Sequence, residues 1–233
     1  MMQKASILAL AALLAACGST GTRQGLREPD NASRLRVAAA AEASGQQDVA
    51  LSLYAAAAQA EPNRAEVQAR LATALMRAGN AADAEAVLAR ALERQPSSGL
   101  LLTALGRLRL RGNAPDEALA LFDRAFANGS RDASTLDARG MALDLLGRHE
   151  EAERDHRAAL ALAPGNATIA NNLAMSLLLA GRAAEAVAVL EPIARRPGAP
   201  ARVSTNLAVA RAAAGGAALE NALAAAGSGD GNG

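Results

Sequence analysis

The stretch Ala65–Arg94, AEVQARLATALMRAGNAADAEAVLARALER, decides the fold. Leu71, Leu75 and Ala78 recur at helical spacing through a first segment that stops near Gly79. A second segment starts at about Ala82, and its Ala84, Val87, Leu88, Ala91 and Leu92 form one apolar stripe. Asn63 stands where an N-cap is expected, and Glu66 lies in the first turn, where the helix dipole favours an anion. Gly79 permits the positive φ of a tight helix–helix turn, and Pro96 punctuates the exit. The unit reads as two antiparallel helices.

The unit repeats. Gly45, Gly79, Gly147, Gly181 and Gly215 stand 34 residues apart or a multiple of it. Ala50, Ala84, Ala118, Ala152 and Ala186 keep the same beat without a gap, and Pro62, Pro96 and Pro164 add a third. In an alanine-rich chain the alanines alone decide little, but glycine and proline punctuate structure. Their agreement in register marks stacked copies of one supersecondary unit. Small alanines where two helices cross let the backbones approach.

Composition agrees with an all-α chain. Of 233 residues 51% are hydrophobic but only 1% aromatic: Tyr54, Phe122 and Phe126. An Ala/Leu core suits close helix packing and suits strands badly, since strands favour aromatic and β-branched residues. The formal charge is +1 and the one lysine is Lys4; beyond residue 16, 23 arginines face 23 acidic residues. A balanced chain without a basic block argues against nucleic-acid backbone binding as its main work.

The amino terminus reads as an address. Lys4 supplies a positive start, and Ala5–Ala16 is an apolar run, too short to span a bilayer, which needs about 20 residues. Leu14-Ala15-Ala16-Cys17 resembles the lipobox of bacterial lipoproteins, and Cys17 is the single cysteine of the chain. That resemblance implies a signal peptide over 1–16 and a diacylglycerol-bearing Cys17, anchored firmly because several acyl chains share one residue. Gly18, where an aspartate would retain such proteins at the inner membrane, implies the periplasmic face of the outer membrane. Residues 17–30 read as a lipidated start and flexible tether, 31–226 as the repeat domain, and 227–233 as a disordered tail.

The unit resembles the tetratricopeptide repeat, a 34-residue helix–turn–helix that stacks into a superhelix. Leu71-Ala72, Leu105-Gly106 and Leu173-Ala174 hold its paired position in helix A, and Arg139-Gly140 holds half of it. Tyr54, Leu88, Phe122, His156 and Leu190 hold the large position of helix B, with Ala57, Ala91, Ala125 and Ala159 three residues on. Five units follow, at about 31–64, 65–98, 99–132, 133–166 and 167–200, with an imperfect capping pair at 201–226. Three departures stand out. The third unit shifts its turn to Gly112-Asn113 and has Ser130 where proline is expected; Pro192 should bend or end its helix; Glu220 replaces the small residue of the last pair.

No catalytic constellation is legible. His149 and His156 lie about 10.5 Å apart along one helix axis, too far to share a metal unaided. His156 reads as a half-buried packing histidine. No HExxH, Cys–His pair or nucleotide loop occurs, so no enzyme, metal or cofactor is expected.

In the tetratricopeptide family helix A of each unit lines a concave groove. The resemblance maps Arg70, Thr73 and Met76, then Thr103, Arg107 and Leu110, then Asp137, Met141 and Asp144 onto it. Asn171, Asn172, Met175 and Leu178 follow, then Arg202 and Asn206. Asn172 and Asn206 recur 34 residues apart in Asn-Leu-Ala contexts. Two readings stand for them: amides gripping the backbone of an extended peptide, or amides solvating an open face. Met141 and Met175 supply either an adaptable apolar floor or core packing.

Asn171-Asn172-Leu173-Ala174, Gly181-Arg182, Leu190-Glu191-Pro192-Ile193, Arg202 and Asn206-Leu207-Ala208, taken with the lipobox, resemble the TadD family. Those are the tetratricopeptide lipoproteins of the tight-adherence (Flp) pilus assembly system. The resemblance implies a scaffold that supports the outer-membrane secretin or another pilus component, gripped over units four to six. A general envelope scaffold for cell-wall or outer-membrane assembly factors is the alternative.

Overall fold

A computed structural model describes residues 30–216 and residue 221. The signal, Cys17, the tether before Asp30, Glu220 and the tail lie outside the described residues. Eleven helices are described: α1 (Asn31–Ala43), α2 (Gln47–Ala60), α3 (Ala65–Arg77), α4 (Ala81–Arg94), α5 (Gly99–Arg111), α6 (Pro115–Ala127), α7 (Ala133–Leu145), α8 (His149–Leu162), α9 (Ala167–Leu179), α10 (Ala183–Ala194) and α11 (Ala201–Ala214). The described part is all-α, five helix pairs and the first helix of a sixth. The second helix of the expected capping pair falls outside the described residues.

Each helix packs on the next, and α3, α5, α7, α9 and α11 also pack on one another at one remove. The odd-numbered helices from α3 onward therefore form a continuous inner layer, as the groove requires. Small residues set the crossings: Ala84, Ala118, Ala152 and Ala186 are wholly buried, with Ala50 close behind.

Every turn between the two helices of a full unit has one design. The N–H two residues past the C-cap returns to a carbonyl five residues back: Gln46 to Ala41, Asn80 to Leu75, Ala114 to Arg109, Arg148 to Leu143 and Arg182 to Leu177. This Schellman closure satisfies orphan carbonyls and needs a left-handed residue. Gly45, Gly79, Gly147 and Gly181 supply it at φ 73–83°.

The third unit does not shift its turn after all. Asn113 falls on the 34-residue beat and itself takes φ 56°, a conformation asparagine tolerates better than most residues. The slip comes in the sixth unit instead, where Gly216 at φ 92°, not Gly215, is left-handed.

A further beat lies at the starts of the first helices. Asp30, Ser98, Asp132 and Asn166 cap α1, α5, α7 and α9 through their side chains. In the second unit that column holds Arg64, so Arg64, not Asn63, is the N-cap, without a side-chain bond. Glu61, Gln95 and Ala163 share one non-helical conformation ahead of Pro62, Pro96 and Pro164, since a following proline pushes a residue out of the helical region. Ser130, lacking that proline, bonds its N–H to the Ala125 carbonyl behind a left-handed Gly129. Pro192 sits inside α10, which ends two residues later.

The apolar core is continuous from α1 into α5 and again from α9 to α11. Between them, where the fourth unit meets its two neighbours, it thins to small clusters around Phe122 and Ile169. Buried polar groups fill the gap.

Candidate functional site: the concave groove and its polar floor

Unit four replaces two apolar contacts with charged ones. Where other units have leucine, Arg139 makes a two-pronged ion pair with buried Asp155, Nε–Oδ2 2.7 Å and Nη2–Oδ1 2.8 Å. Its guanidinium also lies 4.3 Å from the centre of the Phe126 ring, with Arg131 at 4.4 Å. Such stacking is favourable because the ring face is electronegative.

At the large position, His156 is not half-buried but wholly enclosed. Its Nδ1 lies 3.0 Å from Asp137 Oδ1 and its Nε2 3.3 Å from Asp144 Oδ2. Only the doubly protonated ring can donate on both sides. Burial pushes the imidazole pKa down, but the bonds to Asp137 and Asp144 outweigh it and raise it to about 9. Asp144 also meets His149 Nδ1 at 2.9 Å and accepts the Ser176 hydroxyl at 2.9 Å. The two histidines thus share a carboxylate. Among the described residues no group of three or more His, Cys, Asp or Glu side chains could hold a metal ion.

Neighbouring inner helices are joined by polar rungs. The Thr135 hydroxyl donates to Asp132 at 2.7 Å, which leaves Thr103 to donate to Thr135 at 3.1 Å. Arg107 Nη2 donates to the Ser134 carbonyl and hydroxyl at 2.9 and 2.6 Å. Asn172 donates to both Asp137 oxygens at 3.1 and 3.2 Å, and Asn206 to Asn171 Oδ1 at 2.7 Å. Arg202 donates to the Thr168 hydroxyl at 2.6 Å.

Asn172 and Asn206, expected to grip a segment over units four to six, each make a bond to the preceding unit. Asn172 directs its amide nitrogen at both Asp137 oxygens, whereas Asn206 uses one N–H on Asn171, which leaves its second N–H and both amide oxygens as groups a bound chain could address. Leu178, only 3% exposed, belongs to the core and not to an open floor. Met175 is half-buried, and Met141 stands exposed.

A formed cavity lies further towards the amino terminus. It has about 460 Å³ and runs along α1, α3, α5 and α7, with Tyr54, Arg70, Thr73, Thr103, Arg107 and Asp132 among its walls. At one end Glu42 binds Arg77 and accepts the Tyr54 hydroxyl at 3.3 Å. An adjoining hollow of about 240 Å³ has an apolar floor of Met76, Leu110 and Met141 under Arg77, Arg107 and Arg111. Arg107 is exposed as a residue, yet its guanidinium is turned into the wall, where desolvation lowers its pKa against the through-space pull of Asp137 and Asp132. Arg70, Thr73, Thr103 and Arg107 of the expected groove line the larger cavity, whereas Asn172, Asn206, Arg202, Met175 and Leu178 do not. Sequence reading misses the Glu42–Tyr54–Arg77 end because the mapped groove positions begin in the second unit and Tyr54 reads as a packing residue of helix B.

The tetratricopeptide-repeat model matches residues 41–108 and 145–210, more than half of the chain. The chain belongs to the tetratricopeptide-repeat family. Proteins of this family are generally non-enzymatic scaffolds that mediate protein–protein interactions. No curated protein matches the chain by sequence. Among solved structures it is similar to TTC0263, a thermophilic TPR protein of Thermus thermophilus. The two are 26% identical, over 77% of this chain and 98% of that one, with a TM-score of 0.64. It is also similar to PilW, a widely conserved type IV pilus biogenesis factor: 20% identity, 80% and 87% coverage, TM-score 0.65. The pilF protein of Pseudomonas aeruginosa gives 16% identity, 84% and 88% coverage, and a TM-score of 0.63. The last two likenesses are of fold.

Proposed function

We propose that this tetratricopeptide-repeat protein is a lipoprotein held through Cys17 on the periplasmic face of the bacterial outer membrane, where it acts as a non-enzymatic scaffold in tight-adherence (Flp) pilus assembly. Its partner is the secretin, or another pilus component, whose assembly or localisation it supports. The observation that carries the binding role is the concave cavity of about 460 Å³, open along one inner helix layer and lined by Arg70, Arg77 and Arg107 together with Glu42, Glu66 and Asp132. The likeness of fold to a pilus biogenesis factor and the order of Lys4, the apolar run and Cys17 support the pilus and membrane parts.

Among the described residues no helix is long and apolar enough to cross a membrane. The test is co-purification of the full chain from detergent-solubilised membranes of its own host. Recovery of the secretin with the wild type, and its loss from a Cys17→Ser strain, supports the reading. Recovery of envelope assembly factors without any pilus component would favour a general scaffold.

A further inference from the structure

Two columns of the inner helices recur at one-unit spacing, and their Thr73, Arg77, Arg107, Arg111 and Met141 line the smaller hollow. One reads Thr73, Arg107, Met141, Met175; the other reads Arg77, Arg111, Leu145, Leu179. Both change character at the same step, from polar and cationic in units two and three to apolar in units four and five. Met141, Leu145 and Leu179 are 42%, 58% and 48% exposed.

The cations on the other side are only partly neutralised. Arg77 is shared with Glu42, but Arg107 bonds only neutral Ser134 oxygens, and Arg111 has no ion-pair partner among the described residues. No carboxylate lines the hollow that the three arginines enclose. Its floor includes Met141, so the basic and apolar halves meet within one hollow.

We infer that the groove takes a protein segment of divided chemistry: an acidic stretch over units two and three, joined directly to an apolar stretch over units four and five. This deepens the proposed function and rests on its reading that the groove binds a protein segment. An acidic stretch gains charge-assisted hydrogen bonds from Arg111 and from the remaining donors of Arg77 and Arg107. An apolar stretch covers leucine and methionine surface that water now meets. Inner helices about 9 Å apart are spanned by about three residues of extended chain, so each stretch needs roughly three to six residues. Because the columns change sign only once, the two stretches must occur in one fixed order. A segment with the order reversed would set carboxylates on Leu145 and Leu179.

The test is selection from a random 16-residue peptide library displayed on phage, using the full chain, followed by affinity measurements on labelled synthetic peptides. Selected peptides are expected to carry an acidic and an apolar block in one order. Arg77→Glu with Arg111→Glu, and separately Leu145→Glu with Leu179→Glu, should each weaken them about tenfold or more. These positions are exposed, and helicity by circular dichroism, with Arg111→Gln as a milder variant, separates lost binding from lost fold. Peptides that bind, are weakened by Thr73→Trp in the groove, and show no block order would overturn the inference while the binding reading stands. If no selected peptide responds to any groove variant, the binding reading fails and this inference with it.

Discussion

Asp137 accepts from two neighbours at once: His156 Nδ1 at 3.0 Å within its own unit, and Asn172 Nδ2 at 3.1 Å from the next. One carboxylate so ties the floor of unit four to the wall of unit five, at the place where the apolar core is interrupted. A buried ion pair costs desolvation, and removing one partner leaves the other charged and alone.

Stability should therefore depend on pH through His156. Its folded pKa of about 9 lies above the unfolded value of about 6.5. The stabilisation is fully present below the unfolded value and is lost as pH rises through the folded one. Its size is on the order of 3 kcal/mol. Chemical denaturation between pH 6 and pH 10 should show this decline. A His156→Leu variant should be weaker at pH 6, by about 3–5 kcal/mol, and should show a flatter profile.

Glycine in the inner helices matches ring size in the outer ones. A Cβ at Gly106 would lie 2.5 Å from the Phe122 ring, and one at Gly140 2.7 Å from the His156 ring. Where the large residue is Leu88 or Leu190, the facing residue is Ala72 or Ala174. Gly106→Ala should cost about 1–3 kcal/mol by overpacking. Combined with Phe122→Leu, it recreates the pairing of the second unit, so the double variant should be more stable than the sum of the single losses. Additive losses in urea denaturation would contradict the match.

The left-handed turn of the third unit gives a third check. Asn113→Gly should leave stability unchanged or slightly higher, whereas Asn113→Val should lower it by about 1–2 kcal/mol. Equal melting of all three proteins would mean that the turn does not need the conformation seen.

Most of the fold is legible in the sequence because punctuation repeats. Turn glycines, crossing alanines and late prolines each depend on local backbone geometry, which a 34-residue register exposes directly. Unit boundaries follow from them. The cap column of Asp30, Ser98, Asp132 and Asn166 is equally present but is hidden by varied residue types and by Arg64. The site is harder to read. Asn172 and Asn206 repeat in register, but whether their amides face a ligand or a neighbour depends on what stands 35 residues earlier, at Asp137 and Asn171. His156 reads as packing because its two carboxylates lie 19 and 12 residues away, on another helix. Aspartates in inner columns that hold Thr103 and Met76 in other units are the available sign.

Lipidation is tested separately. Labelled palmitate should enter the wild-type chain, and Cys17→Ser should abolish labelling and release the protein from membranes. Labelling of the serine variant would remove Cys17 from the account.

The proposed function puts a secretin or another pilus component in the concave groove. Site-specific photo-crosslinking in living cells tests it most directly, with the reactive residue placed at Thr73 or Met141 in the groove, or at exposed Arg90 on α4 as control. Adducts with a pilus protein are expected from both groove positions and none from Arg90. Adducts from Arg90 alone, with the groove positions silent, would contradict that placement.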